Sequence, residues 1–365
     1  MLENAKELLN YITSKGYKAY IVGGFVRNYL LGMESNDIDI TTNATPKQLQ
    51  DIFENVNLPT TNYGAVIINR NGIRYEITTF RKEISYENNR RPIEIKYIDD
   101  LGEDLLRRDF TVNTICIDKN GKIIDLLNAR SDLDNKIIKT VGDALYKLEE
   151  DALRIIRAIR FSAVLGFNLD EELINAINIK KHLLRNISME KKKEELDKIF
   201  SSPNAKKGID LLLKFGLDEE LSLNNLSSVS NVDSLMSVWS VLNVIDIYPF
   251  TNSEKKIISD VNLALKEDNY DAKTLYKYGL YVNQIAGSIK GFDKKVITEL
   301  YNNLIIKSRQ DLDITSEDII NIIGKPPGEY ITNIYEELEM KVLYFKVNNT
   351  KESIIKYIMD NIDRY

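Results

Sequence analysis

The sequence has very few of the side chains on which most hydrolytic and redox chemistry depends. Its 365 residues include one cysteine, Cys116, and one histidine, His182. A single cysteine excludes an internal disulfide framework and a zinc site built from several cysteines. Zinc hydrolases, HD-type phosphohydrolases and Ser-His-Asp enzymes need histidines that the chain does not have. Any chemistry must therefore depend on carboxylates, arginine and lysine, which suffice for metal-assisted phosphoryl transfer.

The flanking residues predict structural roles for both of these side chains. Cys116 lies in the strand-like segment TVNTICID, where a small buried side chain is the more common role. His182 lies in KKHLLRN on a predicted helix, and we expect it at the surface. Neither residue is a candidate for catalysis.

Long apolar runs are also missing. No segment approaches the roughly 18 apolar residues that a membrane span needs, and MLENAKELLN lacks the basic and apolar regions of a secretory signal. Apolar residues make up 43% and charged residues 28% of the chain, which is ordinary globular usage. We expect a cytoplasmic protein of two or three domains, with no membrane association and no obligatory protein partner.

The net charge of −6 argues against extensive coating of nucleic acid, because affinity for phosphates comes from clustered lysine and arginine. A local basic cluster is nevertheless present, and acidic residues are interleaved with it. A nucleic-acid surface and a solvated helix face are therefore equally good interpretations. The basic residues are Lys180, Lys181, Arg185 and Lys191 to Lys193, and the acidic ones are Glu190, Glu194, Glu195 and Asp197.

The segment from Tyr20 to Thr42 carries the strongest chemical pattern. In DIDI, residues 37–40, polar and apolar side chains alternate with the period of a strand. Asp37 and Asp39 therefore share a face, roughly 6.6 Å apart along the strand. The two isoleucines between and after them point into a core.

A glycine pair precedes these aspartates. Gly23-Gly24 lies at a predicted strand-to-helix turn, where the backbone can approach a phosphate whose charge then meets the helix N-terminus. Arg27, one turn later, can pair with a triphosphate. The glycine pair alone is weak evidence for a phosphate site. The two aspartates that follow it make the pattern stronger, because carboxylates are suitable ligands for the divalent metals of phosphoryl transfer. A surface strand with outward aspartates is the alternative.

The rest of the first 125 residues or so predicts a mixed α/β unit with about five strands. Thr45-Pro46 predicts a helix start, with the helix continuing to about Glu54. Asn71-Gly72 and Asn120-Gly121 each separate two apolar runs, as in β-hairpins. Residues 85–110 are polar, and we expect a mobile loop there. Glu76 is either a third carboxylate of the site or an outward strand residue.

Two further motifs concentrate arginine and aspartate. RRDFTVN places Arg107, Arg108 and Asp109 at the start of a predicted strand. An arginine there can hold a ribose or triphosphate while Asp109 orients it, although a surface ion pair is the simpler interpretation. After about residue 142, the helical spacing of apolar residues dominates to the C-terminus. There the second motif, EEDALRIIRAIRF, carries a row of charged residues at every third position: Asp151, Arg154, Arg157 and Arg160.

This row of charged residues has a structural and a functional interpretation. Salt bridges between residues three apart would account for it without any ligand. The pairing edges of C and A, however, both present an exocyclic amino donor beside a ring-nitrogen acceptor, whereas U and G present a carbonyl. An acceptor on Asp151 beside a donor on Arg154 would accept C or A and reject U and G.

Together these motifs resemble those of the class II tRNA nucleotidyltransferases, the bacterial CCA-adding enzyme and poly(A) polymerase family of the polymerase β superfamily. The resemblance extends in order and spacing over essentially the whole chain. It implies an α+β fold, with a polymerase β-like nucleotidyltransferase head followed by an all-α neck, body and tail. The motifs are GGFVRN (23–28), DID (37–39), RRDFTVN (107–113), EEDALRIIRAIRF (149–161), ISMEKKKEEL (187–196) and GKPPGEY (324–330).

The resemblance also implies domains, substrates and roles. The domains would be the head at 1–142, the neck at 143–204, the body at 205–300 and the tail at 301–365, and the body and tail would bind the acceptor end and elbow of tRNA. CTP and ATP would be added to the tRNA 3′ end without a nucleic-acid template. By position, Asp37 and Asp39 would be catalytic and bind Mg²⁺, while Gly24, Arg27, Arg108, Asp151, Arg154, Arg157 and Arg160 would bind the nucleotide.

Two departures from the family pattern stand out. Asn28 occupies a position where the family usually has aspartate, and ISMEKKKEEL has three lysines where an arginine-containing pattern is more common. The alternatives are a poly(A) polymerase, a partial enzyme that adds only A or only CC, and a non-catalytic tRNA-binding protein. A full-length segment between Arg81 and Arg107 favours complete CCA addition, and the isoelectric point near 5.3 with an end at Tyr365 argues against poly(A) synthesis.

Overall fold

The computed structural model describes residues 1–35, 37–53, 64–87, 91–229, 234–267 and 271–365. These residues form two compact units, 1–223 and 224–365. The first unit combines β-sheet with helices and the second is helical, which confirms the α+β class. The division into head, neck, body and tail stays a prediction.

The first unit contains all the described strands. They are β1 (Ala19–Val22), β2 (Asp37–Thr42), β3 (Ala65–Arg70), β4 (Ile73–Thr79), β5 (Arg81–Glu87), β6 (Arg91–Tyr97), β7 (Cys116–Ile117), β8 (Ile123–Ile124), β9 (Ile137–Ile138) and β10 (Asn168–Leu169). Its helices are α1 (Leu2–Ser14), α2 (Gly24–Leu30), α3 (Pro46–Ile52), α4 (Leu101–Leu106), α5 (Ala129–Asp134), α6 (Ala144–Glu150), α7 (Leu153–Leu165), α8 (Glu171–Lys180), α9 (Met189–Phe200), α10 (Ala205–Lys214) and α11 (Leu217–Glu220).

The main sheet has six described strands in the order β3-β4-β2-β1-β7-β8, where the sequence indicated about five. It is mixed, because β2 and β4 are parallel while the other pairs are antiparallel. Both predicted hairpins, β3–β4 and β7–β8, are confirmed. Thr45 caps α3 with a reciprocal hydrogen-bond pair to Gln48, as the sequence predicted. The predicted end of that helix at Glu54 lies outside the described residues.

The prediction of a mobile loop at 85–110 was wrong for the described part of that segment. β5 and β6 pair as a separate two-stranded sheet, and α4 follows with its N-terminus capped by Asp100. Some of its charged side chains are paired with one another rather than solvated. Arg107 Nε, for example, donates to Asp104 at 2.8 Å, and both side chains are largely buried.

Two other local predictions need correction. TVN, residues 111–113, forms a short 3₁₀ turn rather than the beginning of a strand. Lys192 and Lys193 of α9 are only 2% and 9% exposed, so a wholly solvated basic face was wrong. The predictions for Cys116 and His182 are confirmed, since the thiol is buried and the imidazole is exposed.

The second unit has its own apolar core. Trp239 is buried there, with ring centroids 5.2 Å from those of Tyr248 and of Phe250. Among the described residues, no helix has the length and apolar character required to cross a membrane. The helices are α12 (Leu235–Leu242), α13 (Asn252–Ala264), α14 (Ala272–Ile289), α15 (Lys294–Asn302), α16 (Ser316–Ile323), α17 (Tyr330–Leu343) and α18 (Lys351–Asp360).

Candidate active site

The two predicted aspartates lie on one face of β2, at its beginning. Ile38 and Ile40, which alternate with them, are buried on the opposite face, as the strand period required. The parallel neighbour β4 places Arg74 beside Asp37 and Glu76 beside Asp39. Three carboxylates and one guanidinium therefore lie on adjoining strands at the same edge of the sheet.

Gly23 leaves room for Asp39. Its φ of 78° lies in the left-handed region that favours glycine, and it is the N-cap of α2. A β-carbon at this position would come within 2.9 Å of the Asp39 Oδ2 atom. The sequence predicted that the glycine pair lets the backbone approach a phosphate. The structure adds that Gly23 also gives space to the neighbouring carboxylate.

A cleft of about 400 Å³ opens beside these residues. Asp39 and Glu76 line one part of it, and Arg81, Arg107 and Arg108 line another. Burial raises the pKa of Asp39, and the nearby charges of Glu76 and Asp37 add to that effect while Arg108 opposes it. The carboxylates repel one another, so a cation beside them would be favourable. A phosphate would be favourable beside the arginines.

The donor set fits a magnesium ion. Mg²⁺ is usually held by one or two carboxylates together with water and substrate phosphates. Among the described residues, no three His, Cys, Asp or Glu side chains are grouped closely enough to hold a metal by themselves. Asp37 and Asp39 would therefore be the protein ligands, and Glu76 lies beside them without completing a three-residue cluster.

Asp104 is a residue of the site that sequence reasoning missed. Its side chain is fully buried and accepts hydrogen bonds from Arg107 Nε at 2.8 Å and Thr41 Oγ1 at 3.0 Å, and Arg108 Nη2 lies 3.6 Å away. Although burial opposes ionisation, the two arginines keep the pKa of Asp104 below its ordinary value. The spacing of three and four residues on α4 was the available signal.

Arg108 lies beside Asp104 with a buried side-chain nitrogen that is not hydrogen-bonded. Its Nε atom is buried and has no hydrogen-bond partner among the described residues. Buried polar atoms without partners are rare in native proteins and call for an explanation. An oxygen of a bound ligand in the adjoining cleft would supply the missing acceptor.

Three arginines of the predicted nucleotide site converge on Phe161 of α7. The guanidinium carbons of Arg27, Arg157 and Arg160 lie 5.2, 5.6 and 4.2 Å from the centre of its ring. The ring itself packs edge-on against Phe110. Such contacts between a cation and an aromatic face stabilise the arginine orientations. Residues from the head motif and from α7 therefore form one cluster.

Asp109 orients an arginine, but not the one that the sequence suggested. Its carboxylate accepts from Arg157 Nε at 2.9 Å, from Arg157 Nη2, from Asn113 Nδ2 at 3.0 Å and from the backbone N–H of Phe110 at 2.8 Å. Burial opposes ionisation, yet these partners hold the pKa of Asp109 well below its ordinary range. Arg157 is thereby fixed beside Phe161.

Replacing Asp109 with alanine is expected to lower the free energy of unfolding by about 2–3 kcal/mol, somewhat less than a fully buried ion pair contributes, because Arg157 is partly exposed. Urea titration at pH 7 measures this difference. The matched variant Asp134→Ala breaks an exposed pair with Arg130 and should cost less than about 0.5 kcal/mol.

The same pair of urea titrations has a predicted pH dependence. Because the folded-state pKa of Asp109 is depressed, its contribution is complete above the unfolded pKa and is lost as pH falls toward the folded pKa. The difference between the wild type and Asp109→Ala should therefore shrink below about pH 4. A difference that stayed constant down to pH 3 would contradict the ion-pair explanation.

Arg160 takes its partner from the ISMEKKKEEL motif. Its Nη1 atom lies 2.9 Å from the Glu195 Oε2 atom of α9, and Arg157 Nη1 lies 3.9 Å from Oε1 of the same carboxylate. Glu195 is 4% exposed. Sequence reasoning placed Glu195 among the acidic residues of a helix face and did not connect it with the site.

The predicted base-selecting pair lies at the beginning of α7. Asp151 is half-buried between α6 and α7, and its carboxylate accepts from the backbone N–H of Leu153 at 3.0 Å. Arg154 is buried, and its Nη atoms donate to Glu150 at 2.7 Å and to the backbone oxygens of Lys147 and Arg107. These contacts fix the position of the Asp151 carboxylate and the orientation of the Arg154 guanidinium plane.

The mixed sheet, the aspartates at the start of β2 and the arginine-bearing helix α7 together define a nucleotidyltransferase. Comparison with known families agrees with this class. Residues 19–139 match "Poly A polymerase head domain", residues 166–222 match "Probable RNA and SrmB- binding site of polymerase A", and residues 241–358 match "tRNA nucleotidyltransferase domain 2 putative".

Individual relatives identify the family. The CCA-adding enzymes of Geobacillus sp. (strain WCH70) and Bacillus pumilus (strain SAFR-032) are each 34% identical to the chain; the alignments cover 98% and 97% of this chain and 96% of each relative. The crystal structure of Bacillus stearothermophilus CCA-adding enzyme in complex with CTP is 28% identical, with a TM-score of 0.85 and coverage of 99% of this chain and 97% of that one. The chain belongs to the family of CCA-adding enzymes and is a tRNA nucleotidyltransferase.

A more distant structure shares the fold. The Thermotoga maritima CCA-adding enzyme complexed with tRNA is 20% identical, with a TM-score of 0.68 and coverage of 98% of this chain and 95% of that one. At this identity the likeness concerns the fold alone. It agrees with the α+β assignment over both compact units.

Proposed function

We propose that the protein adds C, C and A in sequence to the 3′ end of tRNA, using CTP and ATP, and releases pyrophosphate. The observation that supports this most directly is the convergence of two sets of residues in the first unit. The carboxylates at the beginning of β2 would serve phosphoryl transfer, and the arginines of α7, with Asp151 just before it, would bind the nucleotide. Arg154 of α7 donates to the backbone oxygen of Arg107, which lines the same cleft as Asp39. We also propose a cytoplasmic location, where tRNA is processed.

The carboxylates at the beginning of β2 would provide the groups for the chemical step. Asp37 and Asp39 would hold Mg²⁺, which supplies activation of a hydroxyl nucleophile and stabilisation of a leaving pyrophosphate. Arg108 and Arg27 would bind the triphosphate, since guanidinium groups match phosphate oxygens in charge and geometry. Gly24, at the first turn of α2, would let the backbone approach the same phosphates. Every one of these contacts is independent of the base.

The beginning of α7 would choose the base. Asp151 would accept a hydrogen bond from the amino group of C or A, and Arg154 would donate to the ring nitrogen beside it. Arg157 and Arg160 would hold the nucleotide through its phosphate or sugar. A site that hydrogen-bonds to one arrangement of donors and acceptors on the pairing edge of a base rejects bases with the opposite arrangement. With such bases, the buried polar groups of the site would be left without partners.

The tRNA would contact the helical part of the chain. We propose that a body at 205–300 and a tail at 301–365 bind the acceptor end and elbow, following a head at 1–142 and a neck at 143–204. The compact units divide at residue 223, within the proposed body. Helices α10 and α11 accordingly belong to the first compact unit.

The direct test of this function is incorporation by the purified protein. With Mg²⁺, CTP, ATP and a tRNA that lacks its terminal CCA, we expect three added nucleotides on a denaturing gel. Addition of only A or only CC would indicate a partial enzyme, and long A tails on unrelated RNA would indicate a poly(A) polymerase. No incorporation, together with no metal-dependent CTP binding, would indicate a non-catalytic tRNA-binding protein.

A further inference from the structure

The arginine cluster around Phe161 contains more positive than negative charge. Arg157 has Asp109 as its carboxylate partner, and Arg160 has Glu195. Arg27 has no carboxylate within ion-pairing distance among the described residues. Three guanidinium groups are therefore matched by two carboxylates, which leaves one positive charge in excess.

Arg27 is held by neutral amide oxygens instead. Its Nε and Nη2 atoms donate to Asn28 Oδ1 at 3.1 and 2.9 Å, and its Nη1 atom donates to Asn113 Oδ1 at 2.6 Å. These bonds fix the guanidinium in place without neutralising it. Burial lowers the pKa of Arg27 to about 10; the charge of Asp109, which has Arg157 as its ion-pair partner, opposes this effect, and repulsion from Arg160 and Arg157 adds to it. The group remains charged at neutral pH.

A buried charge without a counter-ion is unfavourable unless a ligand supplies one. Arg27 is only 7% exposed, so water screens its charge weakly. Asn28 is the neighbour whose replacement by aspartate would change this balance with almost no change in shape. The amide oxygen already accepts two bonds from Arg27, and a carboxylate oxygen in the same place would accept them as an internal counter-ion.

We propose that Asn28 is a positioning residue that sets the affinity of the site for nucleotide phosphates, by fixing Arg27 through a neutral acceptor and leaving its charge available to the ligand. The proposal rests on the proposed function, because it assumes that Arg27 contacts a triphosphate or pyrophosphate. Its effect is independent of the base, since the excess charge interacts with the phosphates that CTP and ATP share.

The variant Asn28→Asp tests this charge balance. We expect KM for CTP and KM for ATP to rise together by about tenfold, with kcat changed less than about twofold. The dissociation constant of inorganic pyrophosphate, measured by calorimetry, should rise similarly. Pyrophosphate affinity should also fall less steeply with added salt than in the wild type, because one fewer uncompensated charge contributes.

Two further variants separate charge from structure. Asn10→Asp adds the same charge on the exposed side of α1 and should leave all of these constants unchanged. Asn28→Ala keeps the site neutral but removes the acceptor that fixes Arg27. It should lower kcat, while the salt dependence of pyrophosphate binding stays as in the wild type.

The outcomes also separate this inference from the proposed function. If Asn28→Asp binds pyrophosphate as tightly as Asn10→Asp does, with the same salt dependence, the inference is overturned even though the enzyme adds CCA. If the wild-type protein incorporates no nucleotide, the proposed function fails first. A Tm of Asn28→Asp below that of Asn28→Ala would also overturn the inference. The carboxylate would then destabilise the structure around Arg27 rather than neutralise its charge.

Discussion

Replacing Asp39 with asparagine is expected to abolish nucleotide incorporation, with a fall in the single-turnover rate of more than about 10³-fold. Asparagine keeps the size of the side chain and removes the negative charge that a divalent cation requires. Asp39 is half-buried at the beginning of β2, beside Glu76, and lines the same cleft as Arg108. Among the described residues, no three carboxylates are grouped closely enough to hold a metal together, so losing one of the pair should not be compensated.

The stability of Asp39→Asn should show that the loss is catalytic. A buried carboxylate is costly to desolvate, and a neutral amide of the same shape removes that cost. We therefore expect an unchanged or higher Tm, together with the loss of activity. Asp134→Asn, on the exposed side of α5, is the matched control and should retain full activity. Activity of Asp39→Asn above a tenth of the wild-type rate would remove Asp39 from the metal site.

The second large effect is expected for Asp151→Ala, in the choice of base rather than in the rate of chemistry. Without the carboxylate, nothing on Asp151 accepts the amino group of C or A or repels the carbonyl of U or G. Discrimination against UTP, measured as a ratio of kcat/KM values, should fall by about 10²-fold. Incorporation of CTP itself should decline less, because the phosphate contacts proposed for Arg27 and Arg108 do not involve Asp151.

A control must separate base selection from the local structure at the beginning of α7. Asp151 accepts a backbone N–H there, and the loss of such a bond costs about 1 kcal/mol. Asp143 makes the same kind of contact to Tyr146 at the beginning of α6. Asp143→Ala should therefore lower stability by a similar amount and leave the preference for CTP over UTP intact. Equal preferences in the two variants would show that Asp151 does not read the base.

The parts of the site that sequence predicted correctly are those determined by local period and local turns. The alternation in DIDI places two carboxylates on one face of β2 whatever the rest of the chain does. The hairpin at Asn71-Gly72 pairs β3 with β4 by an equally local rule, whereas the parallel pairing of β4 with β2, which places Glu76 beside Asp39, was not predicted. Thr45 at the start of α3 follows from an equally local rule.

The missed parts depend on partners that are distant in sequence. Asp109 and Arg157 are separated by 48 residues, and Arg160 and Glu195 by 35. No periodic pattern connects such pairs, and each residue alone has the appearance of a surface charge. The polar segment that forms β5 and β6 was misinterpreted for the same reason, since Glu83 of β5 lies near Arg107, which follows β6 and α4 in the chain.

The departure at Asn28 shows how one substitution acquires meaning from its contacts. In sequence it is an amide where the family usually has a carboxylate, and its consequence for Arg27 could not be stated. The structure shows that the amide still holds the guanidinium and differs from a carboxylate chiefly in charge. Affinity for phosphate is therefore the property in which we expect the difference.

The central claim is that β2 performs a reaction indifferent to the base while the protein itself selects the base. The measurement that tests it most directly is sequencing of tRNA 3′ ends after reaction with an equal mixture of all four nucleoside triphosphates. The account predicts C, C and A in that order and then a stop. Added U or G at frequencies comparable to C and A, or continued growth beyond three nucleotides, would contradict it.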